Sequence, residues 1–85
     1  MRTIYKYELI VQDDPQIISM HEGAKILHVG LQKHNTISMW AETETETSII
    51  TRKFVVVGTG YPITFFGYYV GTVIDQPFVW HLYEV

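Results

Sequence analysis

The chain of 85 residues contains no cysteine, which excludes a disulfide framework and a thiolate metal site. A domain this short buries only about 60–65% of its unfolded surface and often relies on such cross-links. Here the core, and association with further copies, must supply the stability. Positive charge is also scarce: six Lys and Arg stand against nine Asp and Glu, for a formal net charge of −3. Arg2, Lys6, Lys25, Lys33, Arg52 and Lys53 are scattered, and only the last two adjoin. Duplex nucleic-acid binding normally gathers such residues on one face, so it is not expected. No run of about 18 apolar residues exists, and the N-terminus has no apolar h-region. The expectation is a cytosolic protein without a membrane partner.

Catalytic and cofactor motifs are missing as well. Gly58-Thr59-Gly60 follows an apolar run, but the third glycine of a dinucleotide fingerprint would fall at Ile63, and no Gly-Lys-Ser/Thr follows. At most, the amides around these glycines form a small anion nest. His21, His28, His34 and His81 lack metal-ligand spacing, and Ser19, Ser38 and Ser48 sit in no nucleophile motif. The acidic residues fall mostly in turns or in the 42–46 run, where shifted carboxylate pKa values are not expected. Neither an enzyme nor a cofactor nor a metal site is expected. Nor is there a sustained 3.6-residue apolar period. At most a single helical turn fits at 13–18 or at 62–66.

What the chain does have is apolar and aromatic material. Hydrophobic residues make up 47%, with six Tyr, four Phe and two Trp. The stretch Phe54-Val55-Val56-Val57-Gly58-Thr59-Gly60-Tyr61-Pro62 organises the rest. Four β-favouring residues run into a Gly- and Pro-containing break, as in a central strand with both faces covered that ends in a shaped loop. Residues 3–11 alternate, with Tyr5, Tyr7, Leu9 and Val11 on one face, and Gln12–Pro15 turns. Further strands are predicted at 16–20, 24–32 and 36–41, the last with Ile37, Met39 and Ala41 on one face. A hairpin tip falls at Lys33-His34-Asn35. Residues 42–48 contain nothing apolar and read as an exposed acidic loop. After the break, Gly67 and Gly71 in the run 63–74 mark a bulge, a bend or a close backbone approach. The strand 78–85 closes the chain, with Phe78, Trp80 and Leu82 on one face. The prediction is one all-β domain over residues 1–85, a small antiparallel sandwich or barrel of six to seven short strands.

The residues left for binding are aromatic and hydrogen-bonding. Trp40, Tyr61, Trp80 and Tyr68 or Tyr69 offer faces for stacking on a planar ring, and Arg52 or Lys53 offers a cation for a phosphate. In the loop, Gly58, Thr59 and Gly60 allow close approach of a ligand to main-chain amides. His81 lies in a predicted strand. The candidate ligand-binding set is Trp40, Arg52, Gly58, Thr59, Gly60, Tyr61 and His81.

Six segments resemble a family of small tailed-phage proteins described as a domain of unknown function. They are Ile-Tyr-Lys-Tyr-Glu-Leu at 4–9, Glu-Gly-Ala-Lys-Ile-Leu-His-Val-Gly at 22–30, Trp40, Phe-Val-Val-Val-Gly-Thr-Gly-Tyr-Pro-Ile at 54–63, Tyr-Val-Gly-Thr-Val at 69–73, and Phe-Val-Trp-His-Leu-Tyr-Glu at 78–84. The likeness covers nearly the whole chain and brings no catalytic residues with it. It implies a phage gene product acting in the cytoplasm of a bacterial host, where a small acidic non-enzyme suits counter-defence. The expected function is a homo-oligomeric sponge that sequesters a small nucleotide-like immune signal. The alternatives are an inhibitor that binds a host defence protein directly, including the anti-CRISPR type, and a phage accessory or virion protein.

Overall fold

The structure, a computed structural model, describes residues 1–85. Seven strands follow one another: β1 (Arg2–Ile10), β2 (Gln16–His21), β3 (Lys25–Lys33), β4 (Thr36–Glu44), β5 (Ile49–Gly58), β6 (Tyr68–Asp75) and β7 (Phe78–Glu84). All pairings are antiparallel, in a three-stranded sheet ordered β1-β4-β3 and a four-stranded sheet ordered β2-β5-β7-β6. The fold is thus a small all-β sandwich. No helical turn forms at 13–18 or 62–66; Gln16 and its successors pair with β5 instead.

Alternation in the sequence becomes burial in the sandwich. Leu9 of β1, Ile37, Met39 and Ala41 of β4, Phe54 and Val56 of β5 and Leu82 of β7 meet in one core between the sheets. The acidic stretch departs from expectation. Here β4 runs on to Glu44, so Thr43 continues the inward row of Ile37, Met39 and Ala41 and is only 1% exposed. A threonine tolerates that position because its hydroxyl donates to the Ala41 carbonyl at 3.2 Å. Only the Thr45–Ser48 turn leaves the ladder.

Two irregularities fit the sheets together. In β3 the register shifts between Ile26 and His28, so Leu27 bulges out; Val29 is buried and Ile26 packs against the core. A bulge of this kind turns a strand's face by one residue. In β6 the register shifts between Tyr69 and Gly71, and a Cβ at Gly71 would lie 3.0 Å from Val29 of β3. Gly71 is the close approach between the two sheets. A polar tie joins them at the far end. Asp75, buried on β6, accepts hydrogen bonds from the Asn35 amide at 2.9 Å and engages His34 Nδ1 at 2.7 Å in the β3–β4 turn. The Asn35 amide, helped by His34, holds the Asp75 carboxyl below its ordinary value, against the opposing effect of burial. Asn35 itself sits at φ 60°, the left-handed region that asparagine tolerates.

The organising strand is offset between its neighbours. Residues 49–54 of β5 pair with β2 on one side, whereas residues 54–58 pair with β7 on the other. Phe54 alone belongs to both ladders. The second half of β5 therefore has one edge with no strand beside it.

Candidate functional site

That free edge lies in a groove of about 770 Å³, whose walls include Val11, Pro15, Val56, Gly58, Tyr61 and Trp80. The sequence builds it locally. By the register of β2 against β5, Asp14 would stand opposite Val56, but the Asp13-Asp14-Pro15 turn carries the chain away. On the opposite side Gly58 ends β5, and Gly60, at φ 92°, reverses the chain. The Tyr61 amide donates to the Gly58 carbonyl at 3.1 Å, closing the turn. The Tyr61 and Trp80 rings then crowd the space a side chain at Gly58 would fill, at 2.8 and 3.0 Å from its Cβ position. Trp80 is stacked on Phe78 at 5.3 Å, and its indole N–H is buried without a protein partner. Lys53 is the groove's one cationic side chain, and Asp13 also lines it.

Of the seven residues singled out in the sequence, the groove brings Gly58 and Tyr61 together, with Gly60 in the turn between them. Thr59 is in the same turn, its hydroxyl bonded to His81, and the other three stand elsewhere. Arg52 is held by Glu84, its Nε and Nη2 donating at 2.7 and 2.8 Å, while Nη1 donates to the Ala24 carbonyl at 2.6 Å. The Glu84 carboxylate raises the pKa of the guanidinium. Each of its three nitrogens thus donates inside the protein, and the Nε–Nη2 fork that would grip a phosphate is taken up by Glu84. Trp40 is on the three-stranded sheet, tilted against His28 at 5.8 Å. His81 forms a separate polar chain: its Nε2 meets the Thr59 hydroxyl at 2.8 Å and its Nδ1 the Thr72 hydroxyl at 3.0 Å. The Tyr69 hydroxyl extends that chain to Thr72 at 2.6 Å.

Sequence reasoning missed the walls supplied by Val11, Pro15 and Phe65, and did not foresee that the groove would be an open strand edge. The signal was present in Asp13-Asp14-Pro15, which stops β2 two residues short of the Val56 position. It missed a second feature too. Beyond the groove, the chain from the end of β5 to the first residue of β6 exposes large side chains: Phe66 is 100% exposed, Tyr68 83% and Tyr61 71%. Ile63 joins them, exposed as well. Four large apolar side chains exposed within eight residues of chain make this stretch a candidate for a covered surface.

The fold and the groove define a small antiparallel β-sandwich with one internal strand edge left open and an aromatic ridge beside it. Within that class the chain belongs to the family described as a domain of unknown function, DUF7352, whose model matches residues 1–85. No curated protein and no solved structure matches it.

Proposed function

We propose that the protein is a non-enzymatic counter-defence protein of phage origin that acts in the cytoplasm of a bacterial host by binding a host defence protein directly. One observation carries the reading: the ridge of Tyr61, Ile63, Phe66 and Tyr68, aromatic and aliphatic side chains held out in solvent on one segment. Tyr and Phe are the residues that anchor protein interfaces, because each covers a large area at a small cost in side-chain entropy. The ridge continues into the groove through Tyr61. The test is affinity capture from the bacterial host with the wild-type chain and with a Phe66→Ser, Tyr68→Ser double variant. A single defence protein captured stoichiometrically by the first and lost by the second is the expected result. No partner, or one retained equally by both, overturns the proposal.

A second reading, the sponge, is favoured by the meeting of Tyr61, Trp80 and Lys53 around one groove. Stacking on the aromatics would hold a base and Lys53 a phosphate. With Arg52 committed to Glu84, however, Lys53 alone faces the ligand's charge, and Asp13 opposes it. Calorimetry against cyclic dinucleotides and ADP-ribose-type nucleotides separates the two. Binding abolished by Tyr61→Ala and by Lys53→Ala would establish the sponge in place of direct protein contact.

A further inference from the structure

We infer that the free edge of β5 takes an extended peptide segment of the bound protein as an added strand; this rests on the direct-contact reading above. The hydrogen-bond pattern supplies the evidence. The Lys53 carbonyl accepts from the Val85 amide, and the Thr59 amide donates to the Val79 carbonyl. Odd-numbered residues of β5 therefore face β7. On the other side the Ser48 carbonyl accepts from the Glu22 amide, so even-numbered residues face β2. Main-chain groups of residues 50, 52 and 54 meet β2 in this way, and β2 ends at Gln16 opposite Phe54. The next even positions are Val56 and Gly58. Gly58 gives its carbonyl to Tyr61, but the register leaves the Val56 amide, the Val56 carbonyl and the Gly58 amide without a ladder partner, and no turn or loop bond reaches them.

Both residues line the groove, Val56 with little of its surface exposed. The Val56 side chain is in the hydrophobic core, so what Val56 presents to the groove is main chain, and Gly58 has only main chain to present. Donor, acceptor and donor stand in line with the existing β2–β5 ladder, the second donor two residues beyond the first. Same-side groups of a strand repeat every two residues, about 6.8 Å at 3.4 Å per residue. Another extended main chain repeats at the same interval. A nucleobase carries its donors and acceptors on neighbouring ring atoms, too close together to span both Val56 and Gly58. Strand addition of this kind draws its affinity from the main chain and its specificity from alternate side chains. Those side chains meet apolar surface: Tyr61 and Trp80 stand where a Gly58 side chain would project, and Val11, Pro15 and Phe65 form the other walls. The fitting segment is extended, antiparallel to β5 as β2 is, apolar at alternate positions and without acidic residues opposite Asp13.

The probe is a library of random heptapeptides selected on the full-length protein, followed by N-methylation of the best binder one residue at a time. Added-strand binding predicts a period of two: methylating alternate amides weakens binding at least about tenfold, and the intervening amides tolerate it. Amide hydrogen exchange read by NMR gives the second signature. The Val56 and Gly58 amides, faster than those of Val55 and Val57 in the free protein, should slow by an order of magnitude or more in the complex. The inference is overturned if no peptide is selected, if N-methylation shows no alternation, or if Val56 and Gly58 are unmoved by a bound peptide. Slowing of the same two amides with rising protein concentration alone, or with a cyclic dinucleotide, also overturns it, in favour of a second copy or of the sponge. A captured host protein that protects the ridge and leaves Val56 and Gly58 unmoved refutes the added strand and spares direct contact. Failure of both the library and the capture refutes both.

Discussion

Arg52 and Lys53 are adjacent on β5, and their alternation sends them to different fates. Arg52 turns inward over the Phe54 ring at 5.9 Å and locks Glu84 of β7 in a two-pronged pair. Lys53 turns to the groove. That the two would diverge was legible from their spacing; that Glu84 would claim Arg52 was not, because Glu84 lies 32 residues along the chain. Arg52→Ala should therefore destabilise the fold, by about 1.5–3 kcal/mol for the loss of charge-assisted hydrogen bonds, and leave partner binding unchanged once the protein is folded. Urea unfolding and capture of the same variant check both halves. Asp75 gives a pH-dependent counterpart. Its carboxyl is held low in the folded state, so its contribution is complete above the unfolded carboxylate value, about 4, and is lost as pH falls through the lower folded value. Melting temperatures of the wild type and of Asp75→Asn should differ steadily from pH 5 to 7 and converge below pH 4. A gap that persists at pH 2.5 would contradict this.

At the scale of elements, β5 was the most legible piece of the sequence. Val55, Val56 and Val57 are all buried, as their unbroken apolar run implies. What covers them is uneven, however, and no local pattern shows it. One edge carries β7, while on the other the β2 ladder reaches only to Gln16, opposite Phe54, because the Asp13-Asp14-Pro15 turn comes before it. Backbone exchange should report the difference residue by residue. In the free protein the Val55 and Val57 amides, bonded toward β7, should be among the slowest, and the Val56 amide should exchange faster despite its buried side chain. Equal protection of all three would show that something in the protein covers the free edge. Strand β3 was less legible because of the bulge at Leu27. Strict alternation puts Ile26 and Val29 on opposite faces, yet the shifted register turns both toward the core. The length of β4 was hidden for a related reason. Thr43 sits among glutamates, and only its inward register makes it a core residue.

For the molecule as a whole, a small sandwich of 85 residues fills one core and leaves large apolar side chains outside, with Phe66 fully exposed. The aromatic excess was legible in the composition; which aromatics would lie outside was not, since Tyr61 to Tyr69 carry no alternation to assign a face. We expect the excess to show in solution as self-association into a dimer or a higher symmetric assembly at micromolar concentration. Light scattering that gives a clean monomer would contradict this and leave the ridge wholly to a foreign partner. Direct contact with a host protein is tested most closely by calorimetry of the purified captured partner against the wild type and the Phe66→Ser, Tyr68→Ser variant. Loss of two interface aromatics at about 2 kcal/mol or more each corresponds to weakening on the order of a thousandfold or more. The expected result is saturable binding by the wild type and weakening of that size in a variant that still melts cooperatively. Equal affinity of the two chains for the partner would contradict it.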